Sequence, residues 1–136
     1  MGRTVRIDFI SAALLLSTAV AVAAADFCME TTVDANMLAL KGFSLPGKGA
    51  CKETRGFYIF GPYWVTGMAC GSSDGSHITF FQTGASGDGT IMITDTFALN
   101  RTALSGSGTE CSSGGGFCFP NTWTKIPCSP STVPVP

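Results

Sequence analysis

The chain has 136 residues, of which 45% are hydrophobic and only 12% are charged, with a formal net charge of −1. That length supports one domain with its own core rather than two. A near-neutral balance lacks the basic stripe that a nucleic-acid or anionic-membrane partner requires.

The first segment carries Arg3 and Arg6, then the apolar run from Ile10 to Leu16, and ends in Ala23-Ala24-Ala25. This order of charge, apolar run and small residues predicts a secretory signal peptide over 1–25, cut after Ala25 or, next best, after Ala23. An uncleaved membrane anchor would want a longer and less alanine-rich run. The rest, Asp26 to Pro136, is 111 residues with six basic and eight acidic side chains. It divides into a single β domain over 26–128 and a proline-rich tail over 129–136. The expected location is secreted or periplasmic, with no membrane association once the signal is removed.

All six cysteines (Cys28, Cys51, Cys70, Cys111, Cys118 and Cys128) lie beyond the signal. An even number in an exported chain predicts three disulfides. Zinc is the poorer reading, because there is no Cys-x-x-Cys pair and His77 is the only histidine. No metal or other cofactor is expected. A hairpin folded about Phe60-Gly61 sets Cys51 opposite Cys70, the Ser112 to Phe117 loop lets Cys111 meet Cys118, and Cys28 with Cys128 then ties the ends together.

From Val33 to Gly42 the sequence offers a cap at Asp34, good helix formers and a glycine stop, so a short helix is expected, with a strand the close alternative. Pro46-Gly47-Lys48-Gly49 is a turn, and Ala50 to Phe60 is a strand broken by Gly61-Pro62. The turn formers Gly71 to Gly75 separate Tyr63-Trp64-Val65-Thr66 from His77 to Gln82, which is a hairpin signal. Gly84 to Gly89 separates His77–Thr83 from the alternating run Thr90 to Phe97, a second hairpin. With its loop centred between Ser86 and Gly87, Ile78, Phe80 and Gln82 face Asp95, Ile93 and Ile91. His77, Thr79, Phe81 and Thr83 then share the other face with Thr96, Thr94, Met92 and Thr90. Asp95 is the misfit on the apolar side and calls for a place near the sheet's end or for hydrogen-bond partners.

Asn100-Arg101-Thr102 is a glycosylation sequon, meaningful only in a eukaryotic source. The glycine- and serine-rich stretches Ser105 to Thr109 and Ser112 to Gly116 read as loops or weak edge strands. Phe117-Cys118-Phe119 and Thr122 to Ile126 alternate again, as one last strand or two short ones.

For chemistry, Asp74-Gly75-Ser76-His77 holds the residue types of a hydrolytic triad. Neighbours on a strand point to opposite faces, so Ser76 is not expected to reach the His77 ring. Asp74 and Asp88 belong to turns, where aspartate serves the backbone, and neither turn has enough acids for calcium. The remaining candidate is a face carrying Phe57, Trp64, Phe81 and Met92 with threonines and His77 around them, suited to a sugar ring or a partner protein. The competing and stronger reading covers that face with Phe117, Phe119, Trp123 or the Phe27–Leu45 segment as a second core layer.

The expected molecule is therefore an all-β, monomeric, disulfide-stabilised antiparallel barrel or sandwich of about six short strands, with a possible short N-terminal helix. Its expected role is a non-catalytic binding or structural module with a glycan or protein ligand. The alternative is a small secreted hydrolase or enzyme inhibitor.

Overall fold

The computed structural model describes residues 26–32, 36–59 and 63–128, and every element among them is a β-strand. The strands are β1 (Phe27–Thr31), β2 (Met37–Leu40), β3 (Cys51–Tyr58), β4 (Tyr63–Gly71), β5 (His77–Ala85), β6 (Met92–Asn100), β7 (Ser105–Ser112) and β8 (Phe117–Ile126). Each pairs antiparallel with the next, and β8 returns to β1, giving a closed eight-stranded up-and-down barrel. The signal segment 1–25, the cap at Asp34 and the tail 129–136 lie outside the described residues.

Two elements differ from expectation. The segment read as a helix contains β2, whose Leu38 and Leu40 are fully buried and pair with Tyr58 and Gly56. Helix propensity is a weak prior, and here burying two leucines between β1 and β3 overrides it. The glycine- and serine-rich stretch is the full strand β7. It reads as loop because Gly106 and Gly108 stand at its inward positions, and no apolar alternation remains to be seen. With β2 and β7 counted, six expected strands become eight, and closure leaves no sheet edge.

A column of aromatic rings runs through the interior. Phe43, in the loop before β3, meets Phe27 at 5.5 Å between ring centroids and Phe80 at 5.8 Å. Phe80 stacks on Phe97 at 4.8 Å, and Phe97 stacks on Trp123 at 5.1 Å. Trp123 then meets Tyr58 at 6.2 Å, and Tyr58 meets Tyr63 at 6.5 Å. An eight-stranded barrel is just wide enough for such side chains to fill. Beside this column runs a buried polar belt of Thr31, Thr54, Gln82, Asp95, Glu110 and Asn121.

The register of β5 against β6 is four residues from the expected one. Phe80 faces Phe97 rather than Ile93, and Gln82 faces Asp95. Because four is even, every side chain keeps its expected face. The shift follows from the loop, which centres on Asp88-Gly89: Ser86 Oγ, Thr90 N–H and Thr90 Oγ1 all donate to Asp88 Oδ1, and Gly89 adopts φ +72°. Asp95 is 1% exposed and sits midway along β6, so it is not at the sheet's end. Its cross-strand neighbours are instead polar, Gln82 on β5 and Glu110 on β7.

All three disulfides join the expected partners. Cys51–Cys70 and Cys111–Cys118 are direct cross-strand pairs, each with Cα atoms 4.1 Å apart. Cys28–Cys128, at 5.3 Å, carries the chain after β8 back over β1. There it helps close a small outer cluster of Cys28, Ala39 and Phe57, packed by Ile59 and Ile126.

At the end of the barrel that holds the β2–β3, β4–β5 and β6–β7 loops, Arg101 is the clamp. Its Nε donates to Gly75 O and its Nη2 to Pro46 O, both at 2.8 Å, while its own N–H donates to Ser76 O. Arg101→Met is expected to cost about 2 kcal/mol in chemical denaturation, because charge-assisted bonds to two carbonyls are lost. A loss within about 0.5 kcal/mol, typical of a plain surface change, would show that the loops hold without it.

Candidate functional site

Closure turns one face of every strand inward and leaves the other outside. On β4, β5 and β6 the outward positions form three rows, set by the register. Trp64, Ala85 and Met92 make the first, Thr66, Thr83 and Thr94 the second, and Met68, Phe81 and Thr96 the third. Strand spacing and the two-residue repeat place neighbours about 4.8 Å apart within a row and about 7 Å apart between rows. A line of three hydroxyls therefore lies between a fully apolar row and a row of Met68 and Phe81 that ends in a fourth hydroxyl, Thr96, and none of the nine side chains is charged. Beyond Thr66 and Met68, towards β3, the surface dips into a shallow groove lined also by Glu53, Thr54, Arg55 and Gly67.

The aromatic members of this face are open. Trp64 is 68% exposed and Phe81 49%, with Met92 and Met68 also exposed. Among the described residues the expected cover is absent: Trp123 is inside the barrel at 1% exposure, Phe117 is exposed and Phe119 half-buried on β8, and the Phe27–Leu45 segment supplies β1, β2 and the Phe43 plug. The second-core-layer reading expected both faces of the sheet to be covered in a sandwich or a closed barrel alike, whereas this closed barrel has a single interior and leaves the outer face open. Of the four apolar residues expected together, Trp64, Phe81 and Met92 share the face, although Met92 stands opposite Ala85 and not Phe81. Phe57 is only 7% exposed. It lies edge-on to Trp64 at 6.0 Å and supports that ring instead of meeting solvent.

The two tryptophans give a direct test of this geometry. In Trp123→Phe, the remaining Trp64 emission should be red-shifted and readily quenched by iodide or acrylamide. In Trp64→Phe, the remaining Trp123 should be blue-shifted and protected. Similar quenching of the two would contradict the exposed face.

His77 lies apart from these rows, at the start of β5 and paired with Asn100. Contrary to expectation, Ser76 does reach it, with Ser76 Oγ 2.7 Å from His77 Nδ1. Ser76 is the last residue of the turn rather than a strand residue, and Gly75 at φ +76° swings it round, so strand alternation does not apply. The contact is a turn device. Asp74 Oδ1 accepts from Ser72 Oγ, Ser76 N–H and Ser76 Oγ, and Ser72 Oγ accepts from His77 N–H. The Ser76 proton is thus directed at a carboxylate, and the imidazole is left to donate to Ser76 Oγ. In a nucleophilic pair the histidine must take the hydroxyl proton and be held by the acid, which is the reverse order.

The same construction closes the other end of β5, where Ser86, Asp88 and Thr90 repeat the roles of Ser72, Asp74 and Ser76. The Ser86 hydroxyl is the main cause that draws Asp88 down to about 2, helped by the Thr90 N–H and hydroxyl. The Ser72 hydroxyl, followed by the Ser76 N–H and hydroxyl, holds Asp74 far below the ordinary carboxylate value. Because the folded values are depressed, the stability these turns contribute is present above the ordinary value of 3.8 and is lost as pH falls through about 2. The Thr90 amide resonance should therefore hold its position from pH 7 to about pH 3 and move below it; movement centred near pH 4 would mean that the Asp88 bonds do not form in solution.

No family model, curated protein or solved structure matches this chain. Its outer face must therefore be interpreted from its own chemistry. Three features of the face escape a sequence reading: the even register shift, the burial of Phe57, and Met68, whose exposure follows only from β4 lying outside-face-open beside Phe81.

Proposed function

We propose that this chain is a secreted or periplasmic, non-catalytic binding module whose ligand is a neutral glycan, held on the outer face of β4–β6. The observation that carries the reading is the hydroxyl row Thr66–Thr83–Thr94 lying between exposed Trp64 and Met92 on one side and exposed Met68 and Phe81 on the other, with no charge among the nine side chains of the three rows. A pyranose presents an apolar C–H face and a polar hydroxyl rim, which suits an aromatic ring beside hydrogen-bonding hydroxyls. The nine side chains of the three rows offer a charged ligand no partner, Glu53 and Arg55 standing beside them in the groove, and nine residues are few against the roughly 20–30 per side of a stable protein interface. Three disulfides suit an oxidising compartment outside the cytoplasm. The outward hydroxyls of β5 to β8 are the reverse of a lipid-facing barrel, in which the apolar side chains point outward.

The test is co-sedimentation of the oxidised protein with insoluble neutral polysaccharides (cellulose, chitin, xylan and mannan) and a soluble glycan array. Binding to at least one is expected, weakened about tenfold or more by Trp64→Ala and by Phe81→Ala. These are solvent-exposed positions, and both variants should retain the wild-type unfolding midpoint within a few degrees. Failure to bind any neutral glycan, or binding indifferent to both substitutions, would sink the proposal.

A further inference from the structure

We propose that the barrel interior contains an internal water site at the level of the polar belt, bonded by Tyr58, Gln82 and Trp123. Three donors carry this inference: Tyr58 Oη, Gln82 Nε2 and Trp123 Nε1 are buried and make no hydrogen bond to the protein. Their residues are 3%, 2% and 1% exposed. Each such orphan lowers the folding constant by about 5- to 150-fold, so all three together would cost at least about a hundredfold. A chain of this size has little stability to spare for such a loss.

The rings of Tyr58 and Trp123 meet inside the barrel, with centroids 6.2 Å apart. Gln82 accepts from Thr54 Oγ1 at 2.8 Å through its Oε1, a bond that crosses β4 where Gly67 has no side chain. This leaves its Nε2 to donate. Gln82 lies opposite Asp95, and Asp95 lies opposite Glu110. Glu110 Oε2 accepts from Asn121 Nδ2 at 3.0 Å, and Asn121 Oδ1 accepts from Thr31 Oγ1. The Tyr58 ring packs against Gly84, the next inward residue above Gln82. The Trp123 ring stacks on Phe97, the next inward residue below Asp95, and Trp123 is itself one inward step from Asn121. Gln82 thus stands in the belt, and the Tyr58 and Trp123 rings each touch a residue one inward step from it.

The donor and acceptor types select the occupant. The Trp123 indole and Gln82 amide can only donate, so the occupant must accept. A metal ion or ammonium cannot accept from an indole N–H, and Asp95 and Glu110 already bring acceptor oxygens to the belt, so the occupant must also be able to donate. Water accepts two bonds and donates two, and buried waters characteristically bond two to four otherwise unmatched groups. This site is independent of the outer glycan face, since its donors point into the barrel from β3, β5 and β8.

The experiment measures water-selective nuclear Overhauser effects at the Trp123 indole proton of the oxidised protein, assigned by comparison with Trp64→Phe, together with the stability of Tyr58→Phe. The expected result is a through-space transfer from long-lived water to the Trp123 indole proton and an approximately fivefold lower folding constant for Tyr58→Phe. In a dry interior that substitution would only remove an orphaned hydroxyl, leaving stability unchanged or improved. Absence of the water transfer, or a folding constant for Tyr58→Phe equal to or above that of the wild type, would overturn the proposal.

Discussion

Replacing Cys28 and Cys128 together by alanine is expected to destabilise the protein by about 4.7 kcal/mol, more than removal of either other disulfide. The chain-entropy argument scales with the loop closed, and this bond spans 100 residues against 19 for Cys51–Cys70 and 7 for Cys111–Cys118. The latter two should cost about 3.2 and about 2.4 kcal/mol by the same scaling. Local structure reinforces the order. The barrel closes where β1 meets β8, and that seam is registered over only four residue pairs, Cys28 to Thr31. β2 adds three pairs with β3, whereas β3 through β6 are registered over eight or nine. The seam is thus the place where the barrel would open first, and Cys28–Cys128 holds it from outside. Guanidinium unfolding of the three double-alanine variants would rank them. Hydrogen exchange should show β1 and β2 losing protection first in the variant lacking Cys28 and Cys128. If the Cys111–Cys118 variant proved the least stable, closure of the seam would not be what the long disulfide contributes.

The second large effect is expected at glycines that do not stand in turns. A Cβ on Gly106 would lie 1.7 Å from Ala98 O, and on Gly108 2.0 Å from Thr96 O; on Gly67 it would lie 1.9 Å from Phe81 O. All three obstacles are backbone carbonyls of the adjacent strand, which cannot move aside without breaking the ladder. Small barrels turn their corners at such inward glycines, where strands bend and approach closely. Each of Gly106→Ala, Gly108→Ala and Gly67→Ala should therefore cost about 3 kcal/mol or more, at the upper end of overpacking penalties. Gly67→Ala should in addition disturb the Thr54–Gln82 bond that passes over it. Gly87→Ala is the control: nothing lies within 4 Å of its Cβ, and a change within about 0.5 kcal/mol is expected. Denaturant midpoints for the four variants decide the matter. Tolerance of alanine at Gly106 and Gly108 would mean that β7 lies farther from β6 than the structure has it.

Part of this architecture is legible in the chain itself, and the legible part has one physical basis. In a strand the side-chain period is two, so composition alone sorts Ile78, Phe80 and Gln82 from Thr79, Phe81 and Thr83, whatever the pairing partner. The same periodicity makes Cys51 and Cys70 meet once β3 pairs with β4. It does not reveal the register of β5 on β6. Both centres of the Gly84–Gly89 loop preserve the faces, and the choice falls to the bonds gathered by Asp88. Nor does it reveal β7, since a strand whose inward positions are glycines has no apolar signal, and its place is set by the bulk of Phe97 and Trp123 across from it.

The fate of the two tryptophans marks the boundary most clearly. Both stand in alternating runs of similar composition, Tyr63-Trp64-Val65-Thr66 and Thr122-Trp123-Thr124-Lys125. Local period and chain spacing carried the all-β class, the alternation of faces and the even set of six cysteines, whereas the pairing of Cys28 with Cys128 across 100 residues was left to the closed barrel. Which face became the interior, and so whether Trp64 or Trp123 meets solvent, was decided only when β8 paired with β1. A sheet that closes on itself has one inside, and the face left out of it must meet solvent or a ligand.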